Sequence, residues 1–315
     1  MFEQVRRHFS NAELVELTGV CGLFAQSNRF QDSLKLAIEP PHEVDKIRSS
    51  IRVDPARLKA YVERLVETWP DSFPSPVVGA PLSTPAIIPP AVAARRHAPR
   101  VPLLDFGDAA KDAGRFLDEA RTLLGALPNW VRLWAHVPHL GKLFVPLPVA
   151  LMREGAGAAL PARLRAMALL ATSVANAATY SSRHHVALSR AAGLTAAQLA
   201  ALESGAAAAA PDFLPSESAA IEWARHVANN SAKDHDEVFG ALRAHFGDAE
   251  IVELTALCAL SSKLDRIHNA LRLPLEAPEE FAALHRTESL DPARLRNYLK
   301  AIVDHWPAKL PAPAG

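Results

Sequence analysis

An all-α fold is what this sequence predicts. Ala/Leu-rich stretches carry apolar residues at helical spacing, alternating β-branched runs are few, and capping residues sit where those stretches begin and end. The spacing predicts helices near residues 110–125, 128–136, 161–191, 195–203, 216–230, 235–246, 248–272 and 291–304. Thr195 stands before Ala196-Ala197-Gln198, Ser216 before Glu217, and Asp291-Pro292 puts proline at a first helical position, all three being start signals. Gly193 and Gly205 read as stops.

The organisation follows from comparing the chain with itself. At an offset of 237, His8-Phe9 matches His245-Phe246 and Val15-Glu16-Leu17-Thr18 matches Val252-Glu253-Leu254-Thr255. Cys21 falls on Cys258, Arg29 on Arg266, Leu34 on Leu271, Asp54 to Leu58 on Asp291 to Leu295, Tyr61 on Tyr298, and Trp69-Pro70 on Trp306-Pro307. An ungapped match of that length points to gene duplication. Residues 1–72 read as a partial repeat, the C-terminal half of a unit, and 99–310 as one complete unit. The segment 73–98, with Pro74, Pro76, Pro81, Pro85, Pro89 and Pro90, reads as an extended linker. The apolar positions Leu14, Leu17, Val20, Cys21, Phe24 and Leu34 mark a helix over 11–36 that needs a partner surface, and the equivalent surface of 248–272 is the expected one.

Composition bounds the partners. At 49% hydrophobic and 22% charged, 315 residues can bury one or two ordinary cores. Lys plus Arg equals Asp plus Glu at 34 each, so no global field favours nucleic acid or an anionic membrane surface. Met1 to Arg7 is charged from the start and no stretch has the length of a spanning helix, so a cytoplasmic protein without membrane contact is expected. Cys21 and Cys258 share no metal-ligand or CxxC spacing and read as reduced thiols packed as small hydrophobes.

The run Ala177-Ala178-Thr179-Tyr180-Ser181-Ser182-Arg183-His184-His185, continuing to Ala192-Gly193-Leu194-Thr195, is similar to the carboxymuconolactone decarboxylase and alkylhydroperoxidase D superfamily. Val101-Pro102-Leu103-Leu104, Leu127-Pro128-Asn129, Phe246 to Leu254, Arg266 and Asn269-Ala270-Leu271 extend the resemblance over residues 99–275. It implies an alkylhydroperoxidase D-like helical bundle, carrying here a duplicated C-terminal half-unit. It also implies assembly through such helices, as a homo-oligomer or as a pseudo-dimer within one chain. The peroxidase branch works through CxxC, a His three residues on and an earlier Glu. Here Ala178 and Ser181 hold the cysteine places, Ala166 the Glu place, and only His185 is kept. A thiol peroxidase needs an attacking and a resolving thiol, so chemistry by that route is not expected.

On one continuous helix at about 100° per residue, Ser181 and His185 share a face one turn apart, and Tyr180 and His184 form a second hydroxyl–imidazole pair. His185, Ser181, His184 and Tyr180 are the catalytic candidates, with His185 as general acid or base. Trp134, Asn176 and Arg266 are the substrate-binding candidates. Adjacent histidines point about 100° apart and no HExxH pattern occurs, so neither a metal nor a cofactor is expected. The expected function is small-molecule acid–base catalysis, that is decarboxylation, isomerisation or elimination. The alternative is a non-catalytic family member acting as a binding or scaffold protein.

Overall fold

A computed structural model describes residues 2–49, 54–71, 98–152, 159–205, 212–285 and 292–307. All regular structure among them is helical. The order is α1 (Phe2–Arg6), α2 (Asn11–Ser33), α3 (Pro41–Ser49), α4 (Pro55–Glu67), α5 (Lys111–Leu124), α6 (Asn129–Trp134), α7 (Pro138–Phe144) and α8 (Pro146–Met152). There follow α9 (Ala162–Ala175), α10 (Thr179–Ala191), α11 (Ala196–Glu203), α12 (Pro215–Asn229), a 3-10 turn (Ala232–Asp234), α13 (Asp236–Arg243), α14 (Asp248–Leu271), α15 (Pro278–Leu284) and α16 (Pro292–Asp304). Residues 73–97 of the expected linker lie outside the described residues.

The start and stop chemistry accounts for most boundaries. Thr195 Oγ1 accepts from Gln198 N–H at 3.2 Å while Gln198 Oε1 accepts from Thr195 N–H at 3.1 Å, closing a capping box on α11. Gly193 and Gly205 stand at φ +82° and +76°, the left-handed conformation that ends a helix. Ser216 does not cap α12: the helix starts one residue earlier at Pro215, and Glu217 accepts from Leu214 N–H at 3.0 Å. The sequence reading also lacked α7, α8 and α15. Each begins with proline, which ends a helix elsewhere but fits its first turn.

The main correction is in the expected helix 161–191, which is two helices. Asn176 caps α9, and Ala177 takes φ +49°. Ala178 N–H donates to Ser173 C=O at 2.9 Å and Ala177 N–H to Val174 C=O at 2.9 Å, a Schellman termination with alanine in the place glycine prefers. A left-handed alanine costs on the order of 1 kcal/mol. No Gly or Pro marks the break, so local propensity alone reads straight through it.

α14 is the central post. Along its middle Leu254, Leu257, Cys258, Leu260, Ser261, Asp265 and Ile267 are all buried, so neighbours cover most of its circumference there, while Val252 and Arg266 stay exposed. α9 and α12 pack on it with Met167, Leu170, Trp223 and Val227, while Ile267 and Leu271 enter a second core with Phe116, Leu133 and Trp134. Each fully buried leucine here stabilises by about 2 kcal/mol.

α2 also packs on α14, and α4 on α16. These pairs are the sequence-matched segments: shifting Pro55–Glu67 by 237 gives Pro292–Asp304. Of the apolar positions expected to face a partner, Leu14 is buried and Leu34 half-buried, but the middle of α2 turns a different face to α14. Gly22 sits where an added Cβ would meet Ile267 at 3.1 Å and Lys263 at 3.2 Å, and at Gly19 it would meet Trp134 at 2.6 Å. The backbone of α2 approaches through its glycines, whereas Leu17, Val20, Leu23 and Phe24 are exposed. Their matched positions Leu254, Leu257, Leu260 and Ser261 are buried beside α9 and α12, helices for which residues 1–72 hold no copy. For the same reason Cys21 is exposed while Cys258 is buried, so only Cys258 packs as a small hydrophobe. No helix of the described residues is long and apolar enough to cross a membrane.

Candidate functional site

The break after α9 turns the first two turns of α10 toward α14 and the segment that follows it. Asn269 Nδ2 lies 3.4 Å from the carbonyls of both Asn176 and Ala177, which ties the strained turn to α14. Ser181 and His185 keep their spacing on α10, as do Tyr180 and His184, but their polar atoms turn to partners on other elements.

Ser181 and His185 do not bond to each other. His185, 6% exposed, places Nδ1 2.9 Å from Ser173 Oγ, and the Ser173 hydroxyl donates to Asp265 Oδ1 at 3.1 Å. Ser181 repeats the arrangement: its Oγ lies 3.1 Å from His268 Nδ1, and its hydroxyl also bonds Asp265. Asn176 Nδ2 donates to Asp265 Oδ2 at 3.0 Å and to Ser262 Oγ at 3.2 Å. Two His–Ser pairs therefore converge on one buried carboxyl. His268 Nε2 is buried without a hydrogen-bond partner among the described residues.

Burial sets the charges in this array. It lowers His185 to about 3, helped by the neighbouring charge of His184, and lowers His268 to about 3 in the same way. Both imidazoles are neutral at physiological pH. Burial raises the Asp265 carboxyl to about 7, against the opposing hydrogen bonds of Ser181, Asn176 and Ser173 and the charge of Arg266.

Tyr180 and His184 stack at 4.6 Å between ring centroids, but their polar atoms meet on a third residue. Tyr180 donates to Glu276 Oε1 at 2.6 Å, His184 Nε2 lies 3.0 Å from Glu276 Oε2, and Asn129 N–H donates to Oε1 at 2.7 Å. Burial works to raise Glu276, yet the bond and charge of His184, with the donors Tyr180 and Asn129, outweigh it and hold the carboxylate at about 2. Burial and Glu276 together push the Tyr180 phenol well above its ordinary value. His184 Nδ1 continues to His285 Nε2 at 3.0 Å. The Tyr180 ring packs edge-on to His268 at 4.7 Å, joining the two networks.

The substrate-binding candidates separate. Trp134 is a core wall, 4% exposed and packed on Phe144 at 4.9 Å beneath Gly19, away from the imidazoles. Asn176 and Arg266 line a shared open cavity of ≈ 600 Å³ with Arg29, Asn229 and Asn269. Asn176 is thus both cavity wall and hydrogen-bond donor to Asp265.

Asp265, His268, Glu276 and Ser173 were missing from the catalytic candidates. The repeat held a signal for two of them: at offset 237, Asn28 matches Asp265 and Gln31 matches His268, while Arg29 matches Arg266 between them. One copy carries titratable groups where the other carries amides.

Comparison with known proteins bears on this geometry. Residues 138–226 match the sequence model of the carboxymuconolactone decarboxylase family. That window holds Ser173, Ser181 and His185 and ends before Asp265. No curated protein matches the chain. Among solved structures, the alkylhydroperoxidase AhpD core of an uncharacterized peroxidase-related protein from Ralstonia eutropha JMP134 is 23% identical at TM-score 0.49, over 61% of this chain and 98% of that one. The apo debrominase Bmp8 is 20% identical at TM-score 0.44, over 58% and 96%. A Bmp8 variant in complex with 2,3,4-tribromopyrrole is 21% identical at TM-score 0.44, over 57% and 93%.

Proposed function

We propose that this chain, whose residues 138–226 match the carboxymuconolactone decarboxylase family, is a small-molecule enzyme working by general acid–base catalysis. The reaction class is decarboxylation, isomerisation or elimination. The observation that carries this reading is Asp265, a carboxyl poised at about 7 and joined through Ser173 and Ser181 to two neutral imidazoles. A group of that pKa holds and releases a proton at neutral pH, which is the condition for general catalysis. Asp265 holds the proton, Ser173 and Ser181 connect it to His185 and His268, and the two neutral imidazoles orient those hydroxyls. Glu276 fixes Tyr180 and His184 around them. Thiol chemistry finds no support: Ala178 and Ser181 hold the places of the reactive cysteines, and burial pushes the Cys258 thiol up to about 12.

The burial of His185, Ser181 and Tyr180 favours a second reading, a non-catalytic scaffold in which the array only satisfies polar groups in the core. One experiment separates the two. A panel of 3-oxo acids and unsaturated lactone acids is followed by ultraviolet absorbance and carbon dioxide release for the wild type, Asp265→Asn and His185→Gln. Catalysis predicts turnover with a pH inflection near 7, reduced about 100-fold in Asp265→Asn. Wild-type turnover in both variants would sink the assignment of the array. No turnover anywhere, with variants changed only in melting temperature, would establish the scaffold.

A further inference from the structure

The cavity between α2 and α14 gathers positive charge and leaves it unanswered. Arg29, only 7% exposed, donates from Nε to Ala228 C=O at 3.0 Å and from one terminal nitrogen to Ala25 C=O at 3.2 Å. Its second terminal nitrogen makes no hydrogen bond among the described residues. Arg266, exposed on the opposite helix, forms no ion pair among the described residues either. Burial, together with the charge of Arg266, lowers Arg29 to about 10, so the two guanidiniums act on each other as like charges. The acid whose charge reaches Arg266 is Asp265, which is buried on the far side of Asn176. The other named walls are the amides of Asn176, Asn229 and Asn269 and small alanines.

Two forked cations facing one space, with amides and no acid, are the complement of an oxyanion. A guanidinium matches a carboxylate in a planar, two-point contact, and two guanidiniums hold one end of a small acid in a fixed direction. The volume of ≈ 600 Å³ falls within the range of about 300–1,000 Å³ of small-molecule sites. We propose that this cavity binds the carboxylate of a small organic acid between Arg29 and Arg266, with Asn176 as the wall between the bound acid and Asp265. The proposal names the substrate class of the acid–base site and rests on that reading for its chemistry, while binding itself is measured without turnover. It also makes residues 1–72 a functional part of the site, since they supply one of the two arginines.

The test is titration calorimetry on the full-length protein with succinate, and separately with inorganic phosphate, at ionic strength held constant with chloride. Succinate is expected to bind saturably, and Arg266→Gln to weaken it by about tenfold or more, because a charge-assisted contact is lost. Arg266 is exposed, so this variant should keep the wild-type melting temperature. Arg29→Gln should weaken binding as well, with circular dichroism confirming its fold. Asp265→Asn should still bind succinate even where turnover is gone. Equal succinate affinity in the wild type and Arg266→Gln, no saturable binding to the wild type, or tighter binding of phosphate than of succinate would overturn the proposal. Turnover with unchanged KM in Arg266→Gln would overturn it and leave the acid–base reading standing.

Discussion

Replacing Asp265 by Asn keeps its volume and its acceptor oxygen while removing the titration. In the folded protein the carboxyl is raised from its ordinary 3.8 to about 7. Between these values the unfolded chain ionises Asp265 and the folded chain does not, so folding binds a proton and stability falls as pH rises. The full difference is worth about 4 kcal/mol, complete above pH 7 and absent below pH 3.8. His185 and His268 act in the opposite direction: lowered to about 3, they cost stability as pH falls below about 6.5, equally in both proteins. The difference between wild type and Asp265→Asn therefore isolates the carboxyl. Urea denaturation of both at about pH 5.5 and about pH 8 samples roughly half of the window, so the wild type should lose about 2 kcal/mol relative to the variant over that rise. A difference independent of pH, or one of opposite sign, would show that Asp265 is ionised throughout and would remove the basis for a proton store at neutral pH.

Three further outcomes follow from the same structure. Dithiol-supported reduction of alkyl hydroperoxides should be absent, and in the native state a thiol reagent should label the exposed Cys21 but not the buried Cys258; hydroperoxide turnover abolished by Cys258→Ser would contradict this. Glu276→Ala strips the acceptor from Tyr180, His184 and the Asn129 N–H at once and should cost about 3 kcal/mol of unfolding free energy, read by the urea midpoint; a loss under about 1 kcal/mol would mean that water replaces it freely. Deleting residues 1–72 should uncover the α14 surface around Lys263 and Ile267 and yield aggregates or a new oligomer in sizing experiments, as expected if that segment stands in for a neighbouring subunit; a monomeric, equally stable product would make it an appendage.

The longer helices were legible where their ends rest on local chemistry, whereas the short proline-led ones were not. Thr195 with Gln198, Gly193, Gly205 and the proline at position 292 each act within a few residues of themselves. The turn at Ala177 was not legible, because it is stabilised by Asn269, nearly a hundred positions away, against the preference of an Ala-rich run to stay helical. The site failed in the same manner. Pattern singled out His185, Ser181, Tyr180 and His184 as candidates, but Asp265, His268 and Glu276, with which they form networks, come from α14 and the segment beyond it, which only tertiary packing brings near. Ser181 and His185 do share α10 one turn apart, as their spacing predicts, but each bonds across to a neighbouring helix instead, Ser181 to His268 and His185 to Ser173.

Arg29 and Arg266 line one cavity from matched positions of two similar segments, α2 and α14. In an assembly of two identical chains, any substitution at such a contact is made on both sides simultaneously, and neither side can specialise. Joining the two patterns in one polypeptide lifts that constraint, and the chain has used the freedom. It keeps arginine in both copies but has Asn28 and Gln31 in one where Asp265 and His268 stand in the other. Only one copy adds a titrating carboxyl and a second imidazole to the interior, and the other is left to hold glycines that let two backbones come close. On the function proposed above, substitutions in the first 72 residues answer to packing and to a single arginine, and those in 238–309 to a proton.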